Sequence, residues 1–399
     1  MAINGIYLKN LKVDNYKSLK DSFIELKRGL NIIIGKNGAG KSNVLDFINR
    51  AAGRAIFNLS PRNILSNFSA SIEYDSDGKE NELSYELKRS RKEDIESKQD
   101  SPYSFELTIT KKEEGKTVFT NKKIEFNKSF RIRHVEDKTI VKELEILGHL
   151  RRNYIRYALP EGAAWLSRPN RLTLGQDTMF EDMFSGFSFF SNLEFELTLE
   201  LDAQVRLDTF KKDIVSLKNY LFDRLSSYLE RLSVNFILSN YTPITDVRFN
   251  PNINVYSNEE TTIVENLSVD FLVDGDWMPW SYLSDGTKRL FYIITECLSI
   301  NEGVVLVEEP ELGIHPHQLY KMLDFLKEQS SSKQIIISTH SPLALDVLGK
   351  EDLDRIIVAK YEKGTRFRNL SIKEINKAKK YMDEVGELSY YWLHSDLEK

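Results

Sequence analysis

One segment constrains the fold of this 399-residue chain more than any other: Gly35–Ser42, with the sequence GKNGAGKS. It matches the phosphate-loop pattern G-x4-G-K-[ST], in which glycines let backbone N–H groups close round phosphates. The apolar run Leu30–Ile34 precedes it, and an apolar-periodic helix follows from Asn43 to about Arg54. The segment therefore predicts a strand, a phosphate loop and a helix whose positive end faces the bound phosphates.

The side chains of this loop have distinct predicted tasks. The ammonium group of Lys41 can reach the β- and γ-phosphates of a nucleotide, and the Ser42 hydroxyl is placed to ligate Mg²⁺. The full set of predicted nucleotide-binding residues here is Gly35, Lys36, Asn37, Gly38, Ala39, Gly40, Lys41, Ser42 and Asn43.

A second motif is the run Gly303–Glu311, GVVLVEEPE, which is wholly apolar until it reaches two carboxylates. Apolar residues on both faces are typical of a central strand in a parallel sheet, and the carboxyl end of such a strand is where α/β folds bind ligands. We expect Glu308 to hold magnesium, directly or through water, and Glu309 to orient and deprotonate the attacking water. The alternative interpretation is a solvated acidic turn after a buried strand.

Two further motifs are weaker when taken singly. In Leu283–Lys288, LSDGTK, Ser284 and Gly286 would form an anion cradle at a helix start, but the same residues also make an ordinary N-cap. His340 follows the apolar run Gln334–Ile337 and could touch a γ-phosphate, although a structural histidine fits the pattern too.

The order of elements divides the chain into three predicted domains. Residues 1–135 form an N-terminal lobe with the phosphate loop and an antiparallel β subdomain, residues 136–265 a mainly helical insertion, and residues 266–399 a C-terminal lobe. Within them the apolar periodicity predicts one long helix over Ala203–Phe236, a strand over Arg248–Tyr256 and a helix after Pro342. The two ends of the chain would therefore assemble one fold.

Composition excludes several classes of protein. Hydrophobic residues make up 41% and charged residues 29%, which is enough for a core, and the single cysteine, Cys297, cannot form a disulfide within the chain. No signal peptide or membrane helix is evident, so we expect a cytoplasmic protein. Residues 111–171 carry 15 Lys or Arg against 8 Asp or Glu, whereas the whole chain has a net charge of −5. Such a segment is typical either of a solvated face or of a surface that tracks a phosphate backbone.

Taken together and in this order, the four motifs resemble the ABC-type ATPase head. The chain is more closely similar to the RecF/SMC/OLD-like branch, the AAA-15 and AAA-21 ATPases of prokaryotes. The opening LKNLKVDNYKSLKD, the form EEPELGIHP and the closing GELSYYWLHSDL add to the resemblance, which covers residues 1–90 and 265–395. It implies an α/β P-loop NTPase fold: a parallel or mixed sheet flanked by helices, with an antiparallel β subdomain and a helical and β insertion.

The resemblance also implies how the site works. In that family the LSDG segment of one subunit contacts the γ-phosphate bound by the other, so Ser284 and Gly286 would act in trans within a homodimer. Glu308 stands where many relatives carry aspartate, and Asp285 replaces a glycine. The family uses a glutamine to ligate magnesium, and Gln99 and Gln176 are the candidates. His315 and Pro316 match a His-Pro pair found in this branch of the family. The alternative is that His315 is an ordinary residue at a helix start, ahead of a proline in the first helical position.

These implications lead to a functional hypothesis: an ATP- and Mg²⁺-dependent ATPase switch with Lys41, Glu309 and His340 as its catalytic residues. The TOPRIM nuclease domain of the OLD family has no counterpart in the acidic residues after His340. Relatives of this kind resemble the ATPase halves of two-gene anti-phage defence modules, which act with a separately encoded effector such as a nuclease. The alternatives are a RecF-like ATPase of DNA repair that binds double-stranded DNA, and a non-catalytic ATP-dependent scaffold.

Overall fold

The strands and helices described below come from a computed structural model of the chain. It describes residues 3–52, 67–91, 103–126, 135, 137–156, 159, 170–174, 179–181, 187–206, 214–257 and 261–395. Gln99 and Gln176, the two candidates for a magnesium-ligating glutamine, lie outside these ranges.

The chain alternates between long antiparallel strands and α/β segments. The strands are β1 (Ile3–Tyr16), β2 (Leu19–Glu25), β3 (Leu30–Ile34), β4 (Phe68–Ser76), β5 (Lys79–Arg91), β6 (Tyr103–Glu113), β7 (Lys116–Phe126), β8 (Arg152–Ile155), β9 (Asn170–Leu174), β10 (Met179–Glu181), β11 (Ile244–Phe249), β12 (Asn254–Ser257), β13 (Thr262–Leu267), β14 (Val269–Val273), β15 (Asp276–Pro279), β16 (Val304–Glu308), β17 (Gln334–Thr339), β18 (Ile356–Tyr361) and β19 (Thr365–Asn369). The α-helices are α1 (Lys41–Ala51), α2 (Lys138–His149), α3 (Ser188–Arg206), α4 (Ile214–Arg231), α5 (Val234–Tyr241), α6 (Asp285–Leu298), α7 (Pro316–Gln329), α8 (Ile372–Glu384) and α9 (Leu388–His394).

These elements fall into two units. The first consists of residues 1–155, 300–310 and 323–399, and the second of residues 156–299 and 311–322.

The first unit is built on a mixed sheet with the strand order β7-β6-β5-β4-β1-β2-β19-β18-β3-β17-β16-β8. The strands from β18 to β8 run parallel. Every residue of β3, β16 and β17 is buried, as expected of central parallel strands covered on both faces. Each large apolar side chain buried there stabilises the fold by roughly 1.5–3 kcal/mol. As predicted, β3 from the N-terminal part pairs with β17 and β18 from the C-terminal part.

The other half of the same sheet is the antiparallel subdomain. β1 pairs with β4, and β4 to β7 continue as antiparallel neighbours. Tight turns at Asp77–Gly78 and Glu114–Gly115 join the strands, and all four of these residues have positive φ, the conformation that hairpin turns require. The predicted antiparallel subdomain is therefore confirmed.

The second unit combines small sheets with helices. Its described strands form one sheet in the order β10-β9-β13-β12 and another in the order β11-β14-β15. Rings of Phe187, Phe190, Phe271, Trp280 and Phe291 pack with centroids 5.1–6.5 Å apart. This aromatic core fixes α6, the helix that carries the LSDG segment at its start.

Three sequence predictions of local structure are wrong. The helix predicted over Ala203–Phe236 is not one helix, because α4 ends at Arg231 and Ser233, in the left-handed conformation with φ 53°, precedes α5. The strand predicted over Arg248–Tyr256 is interrupted between β11 and β12 by a turn that starts at Asn250. The segment after Pro342 is a 3₁₀-helix, Pro342–Val347, followed by a second one, Lys350–Arg355. In these three segments, local turns and tertiary packing override the structure that the apolar periodicity of the sequence predicts.

Candidate functional site

The phosphate loop joins β3 to α1 in the first unit. Gly38 and Gly40 have φ values of +81° and +93°, which only glycine adopts readily, and no side chain caps the start of α1 at Gly40. The ammonium group of Lys41 is drawn back over the loop and donates to the carbonyl oxygens of Gly35 at 2.7 Å and Lys36 at 3.1 Å. A helix start without a side-chain cap and with a lysine over it suits an anion such as a phosphate.

Close packing holds the loop in place from its other side. A Cβ atom on Gly40 would lie 2.0 Å from Thr365 Oγ1 and 2.6 Å from Ser18 Oγ, so only glycine fits. The Ser18 and Thr365 hydroxyls lie 2.7 Å apart, and the amide of Asn43 donates to Ser18 Oγ at 2.7 Å. Asn43, a predicted nucleotide contact, is thus engaged in the packing that positions the loop.

A buried carboxylate anchors helix α1. Asp46 accepts hydrogen bonds from the Tyr16 hydroxyl, from Lys17 Nζ at 2.8 Å and from Arg50 Nε at 3.0 Å. Burial alone would raise the pKa of the Asp46 carboxyl, but these donors outweigh it and hold that pKa below its usual value. Asp46 ties the turn between β1 and β2 to the phosphate-loop helix.

The two predicted acids sit at the carboxyl end of β16. Glu308 is 4% exposed, and the Tyr154 hydroxyl donates to its Oε2 atom at 3.0 Å. Glu309 has φ 44°, an uncommon value for a residue with a side chain, and its backbone N–H donates to the Ser338 carbonyl at 2.8 Å. The backbone therefore changes from the extended conformation of β16 to a left-handed one at Glu309. Backbone strain of this kind clusters at functional sites.

His340 lies beside the second acid. It is exposed just past the end of β17, and its Nδ1 atom is 3.6 Å from Glu309 Oε1. The structure thus brings together the phosphate loop, Glu308, Glu309 and His340 at one edge of one sheet. The strands β3 and β16 that carry the loop and the acids are separated only by β17, about 10 Å apart at the usual strand spacing.

The polar groups at this edge fit a nucleotide with a divalent cation. Ser42 is exposed in the first turn of α1, and Ser338 pairs in register with Glu308. The Ser338 hydroxyl is fully buried and has no hydrogen-bond partner among the described residues. The Glu308 carboxylate and the Ser42 hydroxyl are hard oxygen donors of the kind that Mg²⁺ prefers, directly or through its water shell.

The LSDG segment belongs to the second unit. Ser284 caps α6 by accepting from the Thr287 N–H at 3.1 Å, while the side chain of Asp285 is 95% exposed. A Cβ atom on Gly286 would lie 2.8 Å from the Gly313 carbonyl oxygen, which explains the glycine. Ser284 and Asp285 are both exposed to solvent.

His315 is placed as a helix-start residue. It immediately precedes α7, its ring stacks on His317 with centroids 5.5 Å apart, and its carbonyl accepts from the N–H of Leu319.

Sequence reasoning missed a cavity next to the phosphate loop. It has a volume of about 360 Å³ and is lined by residues 35–39 of the loop and by Ala359, Lys360 and Tyr361 at the end of β18. Tyr361, one of these lining residues, is 57% exposed. Its contact with the loop depends on the pairing of β18 with β3, which no local pattern reveals.

Two family models match the parts of the chain that carry the phosphate loop and the paired acids. A family model described as AAA ATPase domain matches residues 7–161, and one described as AAA domain, putative AbiEii toxin, Type IV TA system matches residues 170–346. The Retron Vc95 probable ATPase of Vibrio cholerae is 23% identical over 92% of this chain and 76% of its own length.

Two DNA-repair proteins match over shorter stretches. The DNA double-strand break repair Rad50 ATPase of Archaeoglobus fulgidus is 31% identical over 30% of this chain, and the match spans only 11% of the Rad50 length. The DNA replication and repair protein RecF of Francisella tularensis is 31% identical over 16% of this chain and 19% of its own length. Among solved structures, an SMC head bound to the C-winged helix domain of ScpA is 14% identical, with a TM-score of 0.46 over 93% of this chain and 99% of the SMC chain.

The sheet, the phosphate loop and the paired acids define an ATPase. The two family models agree with this assignment, because both describe AAA domains and they match residues 7–161 and 170–346. Within its described residues, no helix is both long enough and apolar enough to cross a membrane.

Proposed function

We propose that the chain is an ATP-driven dimeric switch whose two states are distinguished by the γ-phosphate. The observation that carries this proposal is the arrangement of Glu309 and His340 at the sheet edge that also holds the phosphate loop. A scaffold that merely binds ATP needs no general base, and in this proposal Glu309 has that role.

The proposed chemistry assigns one task to each group. Lys41 binds the β- and γ-phosphates, Glu309 takes a proton from the attacking water through a carboxylate oxygen, and His340 orients the γ-phosphate. Ser42 and Glu308 would hold Mg²⁺, which supplies charge neutralisation at the phosphates when bound. Tyr361 would cover the base or ribose in the cavity beside the loop, since an open aromatic face stacks on a nucleobase.

Dimerisation follows from the position of the LSDG segment. Ser284 and Asp285 are solvent-exposed at a helix start on the second unit, and an exposed helix start of this kind can bind the γ-phosphate held by another protomer. We expect Glu309→Gln to bind ATP and to double in mass by light scattering, because the pocket is kept and the base is lost. Ser284→Arg in that background should keep ATP binding and stay monomeric. If Glu309→Gln binds ATP and stays monomeric, the proposed dimer, in which the LSDG segment of one protomer contacts the ATP of the other, is contradicted.

The biological role that we propose is regulation in an anti-phage defence system in the cytoplasm, with a separately encoded effector such as a nuclease. Two similarities support it: the retron ATPase that aligns with 92% of this chain, and the family model described in terms of a toxin–antitoxin system. The test is phage plating on cells that carry the chain with its neighbouring gene, with Lys41→Ala as the control. Protection that persists unchanged in Lys41→Ala would argue against an ATP-driven role.

A second candidate is an ATPase of DNA repair, which the Rad50 and RecF matches favour. Among the described residues of the basic segment, Lys111, Lys112, Lys122 and Lys123 all form ion pairs with carboxylates, which reduces the positive charge available to DNA. Steady-state hydrolysis with and without double-stranded DNA separates the two roles, with Glu309→Gln as the blank. Strong stimulation with a steep salt dependence would favour DNA repair.

A further inference from the structure

Among the described strands, β8 lies at one edge of the first unit's sheet and β7 at the other, and β8 touches two parts of the candidate site. It pairs in parallel with β16, with Tyr154 opposite Leu306. Side chains alternate along a strand, so Arg152 and Tyr154 lie on the same face of the sheet. Leu306, opposite Tyr154, also lies on that face, and so does Glu308, two residues further along β16. Helix α1 packs on this face through Val44 and Ile48.

Arg152 fastens β8 to the end of the phosphate-loop helix. Its guanidinium donates to the backbone carbonyls of Asn49 and Ala52, the latter at 3.1 Å, and burial lowers the pKa of Arg152. A cation at the C-terminus of a helix interacts favourably with its last carbonyls. This contact fixes β8 relative to α1 without involving the carboxylates.

Tyr154 makes the second contact, with the carboxylate of Glu308. Its hydroxyl donates to Oε2 at 3.0 Å, while Glu308 is almost completely buried. A hydrogen bond from a phenol to a buried carboxylate restricts the rotation of the carboxyl group. It holds the Oε2 atom toward Tyr154, which also fixes the direction of the Oε1 atom. On the opposite side, the buried Ser338 hydroxyl occupies the neighbouring strand in register with Glu308.

We propose that Tyr154 is a positioning residue that sets the affinity of the Glu308 site for its divalent cation. This inference rests on the proposed role of Glu308 as a Mg²⁺ ligand. Tyr154 would act through the carboxylate and touch neither the cation nor the nucleotide. Partners that orient a metal ligand typically change metal affinity or activity by about 10- to 100-fold when they are removed.

The test removes one oxygen atom. Tyr154→Phe keeps the ring that packs against the core and deletes only the donor. Binding of Mn²⁺ in the presence of a non-hydrolysable ATP analogue is measured by electron paramagnetic resonance, and analogue binding is measured separately in EDTA. We expect the Mn²⁺ dissociation constant to rise about 10-fold, while the affinity for the analogue measured in EDTA stays the same.

Two further variants control for structural effects. Tyr7→Phe removes a tyrosine hydroxyl that donates to Glu73 in the antiparallel part of the same sheet, and it should leave Mn²⁺ binding unchanged. Tyr154→His keeps a donor on a ring and should recover part of the affinity. A change in the Mn²⁺ dissociation constant of less than threefold in Tyr154→Phe would overturn the inference. An equal loss of analogue binding in EDTA would also overturn it, since a positioning role acts only through the cation.

Glu308→Gln separates this inference from the proposed function. If it leaves Mn²⁺ binding intact, Glu308 is not a ligand and the proposed metal site is wrong. If it weakens Mn²⁺ binding while Tyr154→Phe does not, the metal site stands and only the role of Tyr154 fails.

Discussion

The Nδ1 atom of His340 lies 3.6 Å from the Oε1 atom of Glu309, close enough to share a water molecule and too far for a direct hydrogen bond. Strand β17 positions both residues: the Glu309 N–H donates to the carbonyl of Ser338 in that strand, and His340 directly follows its last residue, Thr339. Catalytic contacts are often longer before substrate binds and shorten in the complex. The two side chains are therefore close enough for both to contact one group bound at this edge of the sheet.

Replacing Glu309 by glutamine should separate hydrolysis from binding. We expect phosphate release to fall by about 10²- to 10⁴-fold, the usual contribution of a general base, while the dissociation constant for ATP changes less than about threefold. The control is Glu302→Gln, an exposed acid in the turn before β16 that should behave as the unmodified protein does. Hydrolysis at a near-normal rate in Glu309→Gln would remove Glu309 from the catalytic residues.

Lys41→Ala should weaken ATP binding by at least about 100-fold in calorimetric titration, because it removes the charge that faces the phosphates. The matched control is Lys116→Ala, an exposed lysine at the start of strand β7 and outside the loop, which should leave ATP affinity unchanged. ATP affinity that is equal in the two variants would contradict the assignment of Lys41.

Two glycines of the loop differ in how much space surrounds them. Gly40→Ala places a methyl group 2.0 Å from Thr365 Oγ1 at a φ of +93°, and we expect it to destabilise the folded chain by roughly 3 kcal/mol or more. Gly38 has φ +81°, and a Cβ atom added there would meet nothing within 4 Å, so Gly38→Ala should cost about 1–2 kcal/mol from the backbone alone. Thermal unfolding without nucleotide compares them, and equal losses would mean that Thr365 and Ser18 do not confine the loop.

Stability should depend on pH through helix α3. Burial raises the pKa of Glu194 to about 7, whereas its ordinary value is 4.5. The folded protein therefore holds this proton more tightly than the unfolded chain does, and stability is lost as pH rises from 4.5 through 7. Glu194→Gln should raise the melting temperature at pH 8 by a few degrees and change it little at pH 4.5. The exposed Glu230→Gln on α4 is the control, and a gain of equal size at both pH values would rule out ionisation as the cause.

The sequence revealed those parts of the site that local patterns encode. The phosphate loop and the strands β3, β16 and β17 were predictable because the loop matches a known pattern and each strand contains a run of three or more apolar residues. Strand β8 was not predictable, because its four residues, RNYI, alternate in polarity as many surface segments do. The contact between Tyr154 and Glu308 also escaped prediction, since the two residues are 154 positions apart in the sequence. The break at Ser233 escaped prediction because its neighbours include neither glycine nor proline.

The order of strands has a consequence for how the molecule matures. The phosphate-loop strand β3 lies between β17 and β18, which are encoded about three-quarters of the chain or more after it. The N-terminal residues leave the ribosome first, so β3 and the phosphate loop emerge long before the two strands that pair with β3. A chain interrupted before residue 339 leaves β3 with neither neighbour complete, and one interrupted between 339 and 361 still lacks all or part of β18. We therefore expect the phosphate loop to reach its final conformation only after residue 361 has been synthesised.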